Sequence, residues 1–290
     1  MENITAISVC ISYGLAFAMI WLGNVFLGRS RQLALVPPAL PLGKVSVWVY
    51  KPFDLFGLVA IAGVFFMMMM LGFLAERLEP KPVVEKELAV SVETLVFSIG
   101  FQIFVAGAAI AIVARRVNLV HWLGLRWKQW PLVIAIAPVT VLLMWTFFAG
   151  MQAAGLMELL EKLGVKKVQD TVVIFQEEKD MVVVGLMAFA AMIVAPICEE
   201  IVFRGYLYPV AKKFAGPWLA AIASALIFSA AHGSMSALLP LFVFGVVLVA
   251  LYEFTGSIWA PMAVHCLFNS ATVAIQMLVR FGYIPDGVVQ

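Results

Sequence analysis

The sequence predicts an all-α fold: a polytopic membrane bundle of about eight transmembrane helices with a polar cavity in its C-terminal half. The first observation behind this is composition. Of 290 residues, 64% are hydrophobic and only 12% are charged, and the mean hydropathy is +1.04. Soluble domains carry about 25% charged residues. Half that charge cannot coat a globule of this size, which excludes a soluble domain. Disorder needs low hydrophobicity and high charge, so it is excluded too. The apolar segments are solid rather than alternating, which argues against a transmembrane barrel. A net charge of +2 gives no electrostatic reason to expect a nucleic-acid partner. The second observation is that eight runs approach the roughly 20 apolar residues a spanning helix needs. They fall at about 5–27, 54–75, 92–114, 131–152, 181–203, 217–232, 236–254 and 257–280.

The first run could pass for a signal peptide. No Lys or Arg precedes it, however, its length exceeds the usual core of about 7–15 residues, and Gly28-Arg29-Ser30-Arg31 offers no small-x-small cleavage site. It is expected to remain as an anchor. Runs two to four are plain, and Met67 to Met70 in the second reads as soft packing rather than a metal site. The polar stretch 153–180 carries Leu156, Leu159, Leu160 and Leu163 at helical spacing. It reads either as an amphipathic helix on the membrane or as a solvated connector. The last three runs are short and separated by tight turns, so they should pack as consecutive antiparallel hairpins. The organisation expected is N-terminal helices and an amphipathic loop over 1–180, a core over 181–280 and a tail over 281–290. Cys10, Cys198 and Cys266 sit in apolar runs and read as small buried hydrophobes. His121, in a basic loop beside Trp122, reads as an interface residue.

Orientation follows Lys and Arg in short loops. The first loop holds Arg29, Arg31, Lys44 and Lys51, the third Arg115, Arg116, Arg126 and Lys128, and the fifth Lys212 and Lys213. These are expected on the cytoplasmic side. The other loops and the C-terminus hold Arg77, Lys81, Lys86, Lys162, Lys166, Lys167, Lys179 and Arg280. Both termini then lie outside the cytoplasm, and the expected location is the plasma (inner) membrane.

Ionisable groups inside a span cost roughly 2.5–3.5 kcal/mol each on insertion scales. The first four runs carry almost none; Glu93 lies near a segment end. The fifth reads Ala195-Pro196-Ile197-Cys198-Glu199-Glu200-Ile201-Val202-Phe203-Arg204-Gly205. Glu200 and Arg204 are four apart and can pair. Glu199 is turned about 100° from Glu200, so the two carboxylates cannot do the same work. Pro196 lacks an amide donor and should kink the helix just before the pair. The bland alternative is that these charges snorkel from a helix end. The sixth run ends Phe228-Ser229-Ala230-Ala231-His232, and the eighth holds His265-Cys266-Leu267-Phe268-Asn269 with His265 and Asn269 on one face. Singly, a His or Asn in a membrane helix is most often interhelical hydrogen-bond glue. Together, on three segments that must pack against each other, they make a site.

Such groups have few uses. A carboxylate and an imidazole can share a water and remove its proton. Glu199, His232 and His265 can instead supply three ligands to a divalent metal, zinc foremost, with an open position for water. A His with a nearby Asn can donate to a developing oxyanion. Each use leads to hydrolysis by an activated water. A thiol mechanism through Cys198 or Cys266 is weaker, because a one-residue offset turns each away from the polar face.

At these residues the sequence resembles the CPBP family of intramembrane proteases, which includes the type II CAAX prenyl endopeptidases and abortive-infection relatives. The family pattern is EExxxR, FxxxH and HxxxN, met here by Glu199-Glu200 with Arg204, Phe228 with His232, and His265 with Asn269. The flanks Phe203-Arg204-Gly205 and Tyr252 to Pro261 are also similar. The resemblance covers about 181–275. It implies a membrane-embedded endopeptidase acting on a peptide or membrane-protein substrate in the bilayer. It implies that Glu199 and His232 hold the water, that His265 and Asn269 form the oxyanion site, and that Glu200 and Arg204 orient them. Gly233-Ser234-Met235 after His232 departs from the family and makes a small turn beside the site. Two further functions fit the same groups: a proton-coupled transporter, which also uses buried Glu, His and a Pro-broken helix, and a non-proteolytic scaffold or immunity-type relative.

Overall fold

The computed structural model describes residues 2–32, 43–78, 90–163, 165 and 170–285. Within them the chain forms α1 (Glu2–Gln32), α2 (Asp54–Leu78), α3 (Val92–Ala114), a single turn α4 (Leu119–Trp122), α5 (Val133–Ala153), the short α6 (Leu156–Lys162) and α7 (Asp170–Glu177), then α8 (Met181–Ala215), α9 (Pro217–Ala230), α10 (Met235–Thr255) and α11 (Trp259–Arg280). No strand occurs among the described residues. Among the described residues seven helices are long and apolar enough to cross a membrane, and α9 adds a shorter apolar helix of 14 residues. The eight expected runs therefore all appear as helices.

The helix ends follow local chemistry. Ser91, Asn118, Asp180 and Ser234 each accept a backbone N–H with the side chain where a helix begins. Gly216 (φ 81°) and Gly256 (φ 69°) end α8 and α10 in a conformation that other residues avoid. Large apolar side chains point outward along the spans: Phe56, Phe97, Phe104 and Leu143 are 64–72% exposed. Glu200, Arg204 and His265 are 0–3% exposed in the interior. A bundle with this inside-out distribution is built for lipid.

The core is made by the C-terminal helices. α9 packs between α1 and α10, α11 packs on α5 and on residues 190–194 of α8, and α3 lies against residues 195–207. Phe203, Tyr206, Phe228, Phe244 and Ile258 are buried where these meet. Part of the polar connector is docked. Phe175 of α7 packs with Val184 and Val273, and Arg280 donates to the carbonyls of Phe175, Gln176 and Glu178. Leu159 and Leu163 are exposed on the α6 side.

Two expectations need correction. Lys212 is not a loop charge, because α8 continues to Ala215. Its ammonium is buried, pairs with Glu253 Oε1 at 2.5 Å and donates to Val45 O at 2.9 Å, while Tyr208 Oη donates to the same carboxylate at 2.6 Å. Arg116 likewise forks onto Asp54 at 2.8 and 2.5 Å, and that carboxylate raises the guanidinium pKa further. These contacts gather the first loop, the third loop and the end of α8 at one end of the bundle. Lys81, Lys86, Lys166 and Lys167, assigned to the opposite side, lie outside the described residues.

The second correction concerns Pro196. The helix does not break there. It passes through two π-helical segments, Ala190–Val194 and Glu200–Leu207, on either side of an α-helical turn. A π turn takes up an extra residue, and so accommodates a missing donor within a continuous helix; such bulges are frequent at functional sites.

Candidate active site

The site is built where α8, α9, α10 and α11 meet. Arg204 Nη1 donates to Glu200 Oε1 at 2.9 Å, and Arg204 Nη2 donates to Gly245 O at 3.2 Å on α10. The guanidinium carbon lies 4.5 Å from the Phe228 ring centroid, a cation–π contact that stabilises a charge held away from water. Gly245 permits this closeness. A Cβ there would meet Ala225 Cβ at 3.0 Å, so the absent side chain lets α9 and α10 touch. The same Glu200 Oε1 lies 2.9 Å from His265 Nδ1. With Nδ1 spent on Glu200, the ring presents Nε2 to Glu199, whose Oε2 is 3.8 Å away. Glu199 Oε2 is buried and has no hydrogen-bond partner among the described residues.

Arg204, Glu200, His265 and Glu199 thus form one continuous line. The rings around it are aromatic: Phe228 stands edge-to-face with His265 at 5.9 Å and with His232 at 4.9 Å, and Phe244 packs on His265 at 5.3 Å. His232 follows the last turn of α9 with its Nδ1 2.8 Å from Phe228 O, and it is exposed. That bond leaves Nε2 free. Gly233, at φ 63°, follows immediately, and a Cβ on it would lie 2.6 Å from Met69 Sδ. Met69, from the methionine run of α2, therefore packs directly beside the turn that holds His232. Asn269 does not join the line; its Nδ2 donates to Ala191 O at 2.8 Å.

The structure brings Glu199, Glu200, Arg204 and His265 into direct proximity. It places His232 across Phe228 from Arg204 and aims Asn269 at backbone. The imidazole facing Glu199 is His265, whereas the family pattern pairs Glu199 with His232. Sequence reading missed Gly245, Met69, Phe244 and the Ala191 carbonyl, and took Phe228 only as a motif position. A glycine in mid-span was the signal for Gly245. Nothing in the sequence marks Ala191 O.

A divalent metal was expected at Glu199, His232 and His265. Among the described residues no three His, Cys, Asp or Glu side chains converge as a metal-holding set. Glu199 and His265 face each other, but the third donor, His232, is not gathered with them. As placed, this donor set does not fit a three-ligand centre.

Residues 182–271 match the family described as type II CAAX prenyl endopeptidase Rce1-like. This stretch contains every residue of the line, with His232 and Asn269. Residues 182–271 are thus similar to the CPBP family of membrane proteases. A protein of Bacillus subtilis (strain 168) named "Putative membrane peptidase YdiL" is 32% identical over 94 residues. The alignment covers 32% of this chain and 38% of that protein, so the chain spans less than two-fifths of the curated relative's length. No solved structure matches. The matched stretch coincides with α8 to most of α11 and holds the buried Glu200, Arg204 and His265.

Proposed function

We propose that this chain is an intramembrane endopeptidase that hydrolyses a peptide bond with a water activated by Glu199. The observation that carries the reading is His265, held at 2.9 Å from Glu200 and aimed at the free Oε2 of Glu199 3.8 Å away. A buried carboxylate oxygen with no partner is an acceptor waiting for a proton. Glu199 takes one from water, and the water oxygen bonds to the substrate carbonyl carbon. The C–N bond then breaks, and the proton on Glu199 passes to the leaving nitrogen. Arg204 and Glu200 fix the ring of His265, whose Nε2–H, when both ring nitrogens are protonated, donates to the developing oxyanion. Exposed His232 stands edge-to-face with Phe228, whose ring also packs on His265. The match to a peptidase family and to a relative named as a membrane peptidase supports this chemistry.

The substrate class is a peptide or membrane protein entering from the bilayer. The Lys and Arg of the first and third loops favour a cytoplasmic position for the ends carrying Lys44, Arg115 and Lys128, in a plasma (inner) membrane. The test is the purified chain in proteoliposomes with membrane-anchored peptides. The expected result is an internal cut, identified by product mass spectrometry. Proton flux without any product, lost on Glu199→Gln, would replace the protease by a transporter. Neither cleavage nor flux would leave a scaffold.

A further inference from the structure

We propose that Asn269 is a positioning residue: its amide supplies the donor that Pro196 lacks, and so holds the π turn that sets the direction of Glu199. The inference rests on the reading of Glu199 as the base.

Backbone pairing in α8 shows the need. The N–H of Ala195 donates to Ala190 O, five residues back. In an ordinary helix that amide would have served Ala191 O. In the π register the next donor in line for Ala191 O is residue 196, a proline with no N–H. Ala191 O has therefore lost both of its backbone partners. A carbonyl unpaired in a bundle interior is costly, because no lipid can satisfy it. Asn269 Nδ2 reaches it at 2.8 Å from α11, the helix packed on this π segment.

The position of Asn269 links this bond to the site. His265 and Asn269 are four apart and share a face of α11. One face thus pins α8 twice, at Ala191 through Asn269 and at Glu199–Glu200 through His265. A π turn carries one extra residue. If it relaxed to α, the residues beyond would rotate by about 100° relative to those before it. Glu199, eight residues beyond Ala191, would then turn away from Nε2 of His265. The hydrogen bond of Asn269 stabilises the register in which the two face each other. The bond to Ala191 O spends one of the two amide N–H groups of Asn269 on the backbone of the π turn.

The experiment is a double-substitution cycle. Pro196→Ala restores an N–H that can pair with Ala191 O in the π register. Asn269→Ala in the native background is expected to lower the melting temperature in detergent and to lower kcat about ten-fold, the equivalent of one buried hydrogen bond, with KM little changed. Beside Pro196→Ala the same substitution should cost about three-fold or less, with little loss of melting temperature. Equal losses in both backgrounds overturn the proposal, since an oxyanion donor is indifferent to residue 196. If Pro196→Ala itself removes activity, the melting temperatures decide by the same comparison. That arm reads the proposal even if no variant, the native chain included, cleaves peptide; the latter result sinks the protease reading alone.

Discussion

Arg204→Ala is expected to destabilise the protein by about 3–5 kcal/mol, the cost typical of breaking a buried ion pair by removing one partner. Glu200 is fully buried, and the substitution leaves its carboxylate with His265 alone. The same change opens a cavity against Phe228 and strips Gly245 O of its donor. Arg204→Lys should recover only part of the loss. A single ammonium can replace the bond to Glu200, but it cannot also reach Gly245 O with a planar fork. Glu200 Oε2 and Arg204 Nε are buried without partners among the described residues. The pair therefore serves to aim His265 rather than to add much net stability. Denaturation in detergent measures the loss, and a fully stable Arg204→Ala protein would show that the arginine holds nothing in place.

Glu199→Gln and His265→Ala are each expected to reduce peptide cleavage by about 10²–10⁴-fold, the usual contribution of a positioned general base or its partner. Gln keeps the shape of the side chain and loses the ability to take a proton. Glu199→Gln should leave the bundle folded, because Glu199 is partly exposed and makes no short bond among the described residues, whereas His265→Ala also removes a partner of buried Glu200 and should lower the melting temperature. The double variant should be hardly worse than either single one, since groups that act as a unit do not contribute additively. Initial rates in proteoliposomes measure this. Losses that multiply in the double variant would mean that the two side chains act independently, contrary to the geometry.

Much of the architecture was legible because lipid imposes a strong pattern. Each run of roughly 20 apolar residues became a helix, and the buried charges of 199–204 marked the functional half. The spacing of Glu200 and Arg204 foretold their contact, since positions four apart share a face in a helix. Which histidine meets Glu199 was not legible. That depends on the rotation accumulated along α8, and two π segments shift it by amounts no local pattern records. Pro196 announced a backbone problem, but its solution depends on Asn269, more than 70 residues away. Lys212 looked like a loop charge because the sequence around it is short and polar. Its partners Glu253 and Val45 lie on distant segments. Glu253, passed over as a motif flank, proved to anchor the end of the bundle that carries the first loop.

The central claim, a water activated by Glu199, is tested most directly by cleavage in a protein with Cys10, Cys198 and Cys266 all replaced by alanine, compared with the same protein carrying Glu199→Gln. Cys198 and Cys266 adjoin the site residues, so this comparison separates a carboxylate from a thiol as the group that starts the reaction. The account predicts that the cysteine-free protein still cuts its peptide at the native position, and that Glu199→Gln removes the cut while the protein remains folded. Cleavage that disappears with the cysteines, or persists at an undiminished rate in Glu199→Gln, would contradict it.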